Sequence, residues 1–147
     1  MALRRADSIR LALVPSHSSM KKHITKLPDR PLTKLPLSSG VIAEGKFLFV
    51  AGQGPYDPAT GTWSRASIGE QTRLTMESIK LIVETAGATM DDIVTCRVFL
   101  QQITERTFAE MNEAYTKFFG PEKPARTTVG CQLLNIDVEI DCVVRMP

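Results

Sequence analysis

Several features that mark common protein classes are scarce or absent in this 147-residue sequence. Its longest apolar runs fall far short of the roughly 20 residues that span a bilayer, so no membrane span is expected. The three cysteines, Cys96, Cys131 and Cys142, are far apart and odd in number. Neither a disulfide framework nor CxxC-type zinc spacing is therefore present. This cysteine usage fits a reducing compartment, and we expect a cytoplasmic protein.

Strong net charge, histidine and catalytic motifs are also scarce. The formal net charge is +2 and the basic residues are spread along the chain, so a nucleic-acid partner is not expected. Both histidines, His17 and His23, precede the region that reads as a folded domain, which leaves it without a Ser–His or Cys–His nucleophile. GxGxxG, HExxH, GxSxG and the phosphate-loop motif are missing. Dinucleotide, zinc-protease, serine-hydrolase and phosphate-loop functions therefore lack their defining residues.

The first 26 residues differ in composition from the rest of the chain. They carry six Lys or Arg side chains against one acid, Asp7, with serines between them. We predict that residues 1–26 are a basic tail, disordered or targeting, and that residues 27–147 form one domain. The tail resembles a mitochondrial presequence, which makes mitochondria the alternative location. Translation from Met20 is a further alternative.

Apolar periodicity predicts two helices and five strands. The helices are expected over Gly69–Ala86 and between a Thr104 N-cap and Gly120. The strands are expected over residues 41–43, 47–51, 93–100, 127–134 and 138–145. Glu44-Gly45 suggests a hairpin between the first two strands. The order ββαβαββ folds most simply as one mixed sheet with both helices on one face, an α+β fold.

This arrangement leaves the second face of the sheet uncovered. Several strands would place alternating apolar side chains there, and a monomer rarely exposes so large an apolar patch. We therefore expect self-association through the sheet face with closed rotational symmetry. A site at such an interface would draw residues from two subunits.

Four ordered motifs carry a resemblance to a known family. They are AGQGPYDPATG (51–61), EQTRLTMESIKLIVETAGATMDDIVTCRVFL (70–100), FAEMNEAYTKFFGPEKPARTTV (108–129) and DVEIDCVV (137–144). Over residues 35–144 the chain resembles the RidA/YjgF family of enamine/imine deaminases. The resemblance implies a chorismate-mutase-like fold and a homotrimer with sites at subunit interfaces. It also implies cofactor-free hydrolysis of reactive 2-imino acids, of the 2-aminoacrylate and 2-iminobutanoate type, to 2-keto acids and ammonia.

Two residues match the family positions that carry the reaction. Arg126 matches the arginine that grips the substrate carboxylate, and a planar guanidinium offers two parallel donors for that purpose. Glu139 matches the glutamate near the nitrogen-bearing carbon, where a carboxylate holds a water and moves its proton. Each has a structural alternative. Arg126 would form an intersubunit salt bridge, or Glu139 would pair with Arg126 across adjacent strands.

Five further positions are expected around the substrate or behind it. By resemblance, the backbone N–H of Thr128 helps to bind the carboxylate, and Asn112 supports loops around the site. Gly52 and Gln53 match a family turn in which glycine allows close backbone approach. Asp141 shares a strand face with Glu139 and is expected to be a structural charge more often than a catalyst.

One position departs from the family pattern. Relatives carry G-P-Y before the first strand, with the Tyr lining the pocket, whereas this chain has Leu35-Pro36-Leu37. Leu37 would remove a hydroxyl worth about 1–3 kcal/mol, which would slow turnover or shift preference toward more apolar substrates. The alternative function is a trimeric protein that binds small carboxylates, or regulates, without deaminase activity.

Overall fold

The structure, a computed structural model, describes residues 21–147. Its helices are α1 (Ile68–Thr85) and α2 (Glu105–Thr116), and a short 3-10 helix spans Met90–Asp92. Eight strands lie in the described residues: β1 (Lys21–Ile24), β2 (Gly40–Ala43), β3 (Phe47–Gln53), β4 (Tyr56–Asp57), β5 (Thr62–Trp63), β6 (Ile93–Leu100), β7 (Ala125–Gly130) and β8 (Val138–Arg145).

The main sheet has four strands in the order β3-β8-β6-β7. Strand β8 runs antiparallel to both β3 and β6, whereas β6 and β7 are parallel. The pairs β1-β2 and β4-β5 form two small separate sheets. A mixed sheet with two helices confirms the predicted α+β class.

The helices form where the sequence places their caps and apolar stripes. The Ser67 side chain accepts a hydrogen bond from the Glu70 backbone at the start of α1, and Thr104 does the same for Thr107 at the start of α2. Such caps satisfy backbone donors that the first turn leaves unpaired. Helix α1 ends before Gly87, whose φ of +86° suits the left-handed residue that commonly follows a helix.

The core lies between the helices and one face of the sheet. Both helices and the strands β6 and β8 supply its fully buried side chains: Met76, Ile79, Val83, Met111, Tyr115, Ile93, Cys96, Val98, Leu100, Val138, Ile140 and Val144. The opposite face carries Phe49, which is 76% exposed, together with the exposed Phe47 and Val129. The predicted uncovered apolar face is therefore present in the described chain.

The hairpin predicted at Glu44-Gly45 is wrong. Strand β2 pairs with β1, and β3 pairs with the distant β8 from Phe47↔Arg145 onward. The carbonyl of Glu44 accepts from Nε of Arg145 at 3.0 Å, and the carbonyl of Lys46 accepts from the Met146 backbone at 2.9 Å. These long-range bonds join the turn before β3 to the end of β8. Pairing with β8 therefore overrides the local preference for a hairpin.

Other element boundaries also differ from the sequence expectations. Strand β7 spans Ala125–Gly130 and does not reach residue 134, and α2 ends at Thr116 before Phe118. Lys21–Ile24, assigned to the basic tail by composition, forms β1. The remainder of that assignment, residues 1–20, lies outside the described residues and stays a prediction. Neither α1 nor α2 is long and apolar enough to cross a membrane.

Candidate functional site

Arg126 lies on β7 and points toward α2. Its strand partner on the parallel β6 is Cys96, a core residue, so the Arg126 side chain is on the helix-covered face. The guanidinium carbon is 4.9 Å from the centre of the Tyr115 ring and 5.6 Å from that of Phe108. Nη1 is 3.8 Å from the sulfur of Met111. Two aromatic faces and a thioether therefore hold a cation in place.

No carboxylate balances this arginine in the part of the chain that is described. None of the ion pairs among residues 21–147 includes Arg126, and its Nε is buried without a hydrogen-bond partner. Burial lowers the pKa of the guanidinium from its usual value. Because a buried charge without a partner is costly, the arrangement is suited to an anion supplied from outside these residues.

Further unpaired polar atoms belong to residues of β7 and α2, the two elements that hold Arg126. Thr128 Oγ1, Asn112 Oδ1 and Tyr115 Oη are buried and lack hydrogen-bond partners among residues 21–147. Buried polar groups are satisfied in the great majority of native structures, so this concentration is unusual. We call Asn112, Tyr115, Arg126 and Thr128 the arginine cluster. Three of its four members were predicted from the sequence as site residues, and Tyr115 was not.

The backbone N–H of Thr128 lies on the free edge of the sheet. Strand β7 is the edge strand, and Cys131 N–H donates to Leu100 of β6 at 2.9 Å. The Pro124 carbonyl points away from β6 and accepts a hydrogen bond from the Ser38 N–H at 3.0 Å. Because backbone directions alternate along a strand, the N–H groups of Arg126 and Thr128 point away from β6. A ligand beside Arg126 would therefore meet a backbone donor at Thr128.

Leu37 and Asn112 line the same cleft. Its volume is about 510 Å³, and the segment 32–38 forms one wall while α2 residues form another. Two lysines, Lys34 and Lys123, border it. The structure therefore places Leu37, which departs from the family pattern, and the predicted site residue Asn112 at one cleft. A larger groove of about 770 Å³ between α1 and α2 contains none of the predicted site residues.

Glu139 lies on the opposite face of the sheet from Arg126. It pairs with Phe99 across β6 and β8, whereas Arg126 pairs with the core-facing Cys96. Strand β6 also separates β8 from β7. The predicted alternative in which Glu139 pairs with Arg126 across adjacent strands is therefore wrong. Within one chain these two side chains do not meet.

The predicted turn residues pack beside Glu139. A Cβ placed on Gly52 would lie 2.9 Å from the Glu139 carboxyl carbon, closer than real Cβ atoms approach, so any larger residue there would displace the Glu139 carboxylate. The Gln53 side chain donates to the carbonyl oxygens of Ala51 at 3.1 Å and Gly52 at 3.4 Å. Gly52 and Gln53 are therefore grouped with Glu139 and separated from the arginine cluster by the sheet.

Asp141 has a structural partner. Arg97 donates two hydrogen bonds to its carboxylate, at 2.9 and 2.6 Å, and this contact raises the pKa of the arginine. The pair lies on the uncovered face, next along β8 from Glu139. Asp141 is thus engaged by a neighbouring strand, in line with the expectation of a structural charge.

His23, which the composition of its segment assigned to the tail, has a buried side chain. Its imidazole is 3% exposed, and Nδ1 lies 2.9 Å from both Ser38 Oγ and the Lys123 carbonyl. The expectation that His23 precedes the folded domain is therefore wrong, although its contact with Ser38 is not that of a nucleophile and its base. Strand β1 has four residues and three of them are polar, so no alternating pattern marked it. Within residues 21–147 no three His, Cys, Asp or Glu side chains are grouped to hold a metal.

The sequence and the fold both match known proteins. The profile of the endoribonuclease L-PSP family matches residues 28–146. A RutC family protein of Pyrococcus abyssi is 46% identical over 103 residues, 70% of this chain and 80% of that protein. The crystal structure of the Rid family protein YyfB of Yersinia pestis superposes with a TM-score of 0.78 at 23% identity, over 86% of this chain and 98% of that one.

A second Rid family structure has a higher identity and the same extent. The protein YyfA of Yersinia pestis is 28% identical, with a TM-score of 0.64, over 86% of this chain and all of that one. Residues 28–146, which match the family profile, contain the arginine cluster, Leu37 and the Gly52–Glu139 contact. The chain therefore belongs to the endoribonuclease L-PSP family, the YjgF/RidA family.

Proposed function

We propose that this protein is a cofactor-free hydrolytic deaminase of 2-imino acids. The observation that carries the proposal is Arg126, a half-buried guanidinium with a buried Nε, held by two aromatic rings and without a carboxylate partner in residues 21–147. A planar guanidinium with free donors is suited to a carboxylate. The substrate class is therefore a small acid, and the enamine/imine chemistry of the family supplies the reaction.

In the proposed complex the carboxylate is held from two directions. The guanidinium of Arg126 donates two parallel hydrogen bonds, and the free-edge N–H of Thr128 donates a third. The substrate side chain extends into the cleft beside Leu37, where an apolar wall favours added methylenes by about 0.8 kcal/mol each. Asn112 has an unpaired amide oxygen at the same cleft and supports its α2 wall.

The hydrolytic step needs a group that moves a proton. Water adds to the imine carbon, the nitrogen gains protons, and ammonia leaves as the 2-keto acid forms. Glu139 would accept a proton from the attacking water and return it to the leaving nitrogen. Gly52 packs against that carboxylate and holds it close to the turn that follows β3.

Because Glu139 and Arg126 face opposite sides of one sheet, we propose that each site is completed by a second copy of the chain. The uncovered face carries Phe49, 76% exposed, and burying it against a neighbour removes a large apolar area from water. A closed ring of three protomers would repeat the same contact three times. Each site would then take Arg126 from one protomer and Glu139 from the next.

The test is a coupled assay. A threonine dehydratase generates 2-iminobutanoate, and the decay of the imine is followed by semicarbazide trapping with and without this protein. Faster loss of the imine supports the deaminase. Binding of 2-oxobutanoate without faster loss supports the second candidate, a carboxylate-binding protein, which is favoured by the separation of Glu139 from Arg126 within one chain.

An endoribonuclease function, which the family description names, has weaker support in this chain. A general-base histidine must reach the nucleic acid, but the His23 imidazole is 3% exposed. The basic side chains are mixed with acids on both helices, as in the Arg106–Glu110 and Lys80–Glu84 pairs, and form no basic stripe with aromatic side chains. We therefore rank ribonuclease activity below both carboxylate functions.

A further inference from the structure

The buried His23 joins three segments that are distant in the sequence. It lies on β1, and its Nδ1 is 2.9 Å from the Lys123 carbonyl and 2.9 Å from Ser38 Oγ. A carbonyl oxygen only accepts, so Nδ1 carries the hydrogen. Nε2 is buried and has no hydrogen-bond partner among residues 21–147. The hydrogen-bonding contribution of this imidazole to the fold is therefore made through Nδ1.

Ser38 completes the connection. Its side chain is buried and its hydroxyl donates to the same Lys123 carbonyl. Its backbone N–H donates to the Pro124 carbonyl at 3.0 Å, and the residue forms a parallel bridge with Ala125. We call His23, Ser38 and the Lys123 carbonyl the histidine clasp. It fastens β1 and the segment before β2 to the beginning of β7.

The clasp is not a nucleophile and its base. To activate Ser38, the imidazole would have to accept the hydroxyl proton. Nδ1 already carries a hydrogen for the Lys123 carbonyl, and the hydroxyl proton is directed to that carbonyl as well. The contacts therefore hold backbone segments in position and leave no acceptor on the imidazole for chemistry at Ser38.

Both ends of the clasp adjoin proposed substrate contacts. Leu37 directly precedes Ser38 and lines the 510 Å³ cleft. Arg126 follows Lys123 by three residues, at the start of the strand to which Ser38 is bridged. A shift in the clasp would displace the apolar wall and the guanidinium relative to each other, and misplacement by about 1 Å can cost on the order of 100-fold in rate.

We propose that His23 is a positioning residue for the carboxylate site, through the clasp that sets the relative placement of Leu37 and Arg126. The proposal rests on the deaminase or carboxylate-binding function for its functional consequence. It also makes β1 part of the site's framework, although its composition resembles that of the tail. The chemical requirement at position 23 is a single donor in the place of Nδ1.

The variants at position 23 are chosen by whether they keep a hydrogen-bond donor in the place of Nδ1. In His23→Ala the donor is lost. In His23→Asn the side-chain amide places a donor near the position of Nδ1. The variant loses only Nε2, which makes no hydrogen bond within residues 21–147 and lies 4.0 Å from the exposed carboxylate of Glu122. Lys22→Ala is the matched control, because the neighbouring Lys22 is on the same strand with an exposed side chain and makes no side-chain hydrogen bond within residues 21–147.

Two measurements are made on the full chain. The first is KM and kcat for 2-iminobutanoate together with the dissociation constant of 2-oxobutanoate by calorimetry. The second is amide hydrogen exchange of the segments 33–39 and 123–127. For His23→Ala we expect both KM and the dissociation constant to rise about tenfold or more. The change in kcat should be smaller, because contacts to the carboxylate bind the substrate and the transition state equally. Exchange in both segments should be faster, and His23→Asn should restore the wild-type values.

Each other outcome has a defined meaning. If His23→Ala matches Lys22→Ala in KM and in exchange, the proposal is wrong. It is also wrong if Ala and Asn variants lose affinity equally and in proportion to their loss of thermal stability. If the wild type neither binds 2-oxobutanoate nor hydrolyses the imine, the proposed function fails, and the exchange data alone decide whether the clasp positions the two segments. Ser38→Ala, which removes the hydroxyl bond to Lys123, replaces His23→Ala if that variant does not fold.

Discussion

Replacing Arg126 with methionine should separate ligand binding from stability. The guanidinium lies between the rings of Phe108 and Tyr115 and beside the Met111 sulfur, a setting in which a flexible thioether packs well. Methionine removes the positive charge and its donors while filling much of the same space. We expect the Arg126→Met variant to lose carboxylate binding and to keep its fold.

The binding loss follows from the number of hydrogen bonds removed. Two charge-assisted hydrogen bonds to a carboxylate contribute about 1.5–3 kcal/mol each, so their removal costs about 3–6 kcal/mol. That range corresponds to an increase of about 10² to 10⁴-fold in the dissociation constant of 2-oxobutanoate. Imine hydrolysis should fall to the background rate at the same substrate concentration.

The Arg126→Met variant should be more stable to unfolding than the wild type, although it binds carboxylates more weakly. The buried and unpaired Nε costs about 1–3 kcal/mol. The two cation–π contacts contribute about 0.5–2 kcal/mol each, and a methionine sulfur recovers about 0.3–1.5 kcal/mol at each ring. The balance favours the Met variant by about 1 kcal/mol, which raises Tm by roughly 2–4 °C for a chain of this size. The measurement is thermal unfolding at a fixed protomer concentration, because association stabilises the folded state.

Arg106→Met is the matched control for this experiment. Its side chain is 75% exposed and pairs with Glu110 on the same helix, so binding should be unchanged and the free energy of unfolding should move by no more than about 0.5 kcal/mol. The reasoning is refuted if Arg126→Met dissociates the oligomer and lowers Tm while 2-oxobutanoate still binds. That result would identify Arg126 as an intersubunit salt bridge.

Three further predictions concern Glu139, Gly52 and Leu37. Glu139→Gln should keep 2-oxobutanoate affinity and lose turnover by about 10² to 10⁴-fold, because the amide cannot accept a proton. Gly52→Ala should displace the Glu139 carboxylate, whose carbon would lie 2.9 Å from the new Cβ, and should lower kcat more than affinity. Leu37→Tyr should raise the rate on 2-iminopropanoate and 2-iminobutanoate several-fold, while the wild type should prefer imines derived from leucine or phenylalanine. All three use the semicarbazide assay with calorimetry in parallel.

These variants have distinct contrary outcomes. Normal turnover by Glu139→Gln would show that the carboxylate is not the acid–base group. Gly52→Ala, which acts by displacing that carboxylate, should then leave kcat unchanged. If Leu37→Tyr stays at background although 2-oxobutanoate binds, the missing hydroxyl is not the limiting factor and the carboxylate-binding function is favoured. A wild type that prefers the smallest imine would contradict an apolar pocket wall at Leu37.

Local patterns predicted the helices and the central strands. The apolar spacing of Met76, Ile79 and Val83 marks one face of α1, and Gly87 marks its end. The alternation of Cys96, Val98 and Leu100 marks the core face of β6. These signals are local because each depends on which side of a helix or strand the side chain occupies. Three of the four members of the arginine cluster were also found, through motif resemblance.

Pairing between distant segments was decided only by the tertiary structure. The turn at Glu44-Gly45 is compatible with a hairpin, but β3 instead pairs with β8 and β2 with β1. The motif around Glu139 indicated its chemistry but not its position relative to Arg126. Which strand lies between them, and which face each side chain occupies, depend on the strand order.

The sequence by itself therefore determined the two helices, the strands of the main sheet, the family and the chemical identity of the candidate site residues. The tertiary structure decided that Arg126 is half-buried without a carboxylate partner in residues 21–147, that Glu139 faces the other side of the sheet, and that His23 is part of the fold. The physical reason is that periodicity and motifs describe a residue's own segment. Burial, pairing and unsatisfied hydrogen bonds depend on distant segments, as in the contact between His23 and the Lys123 carbonyl, which are 100 residues apart.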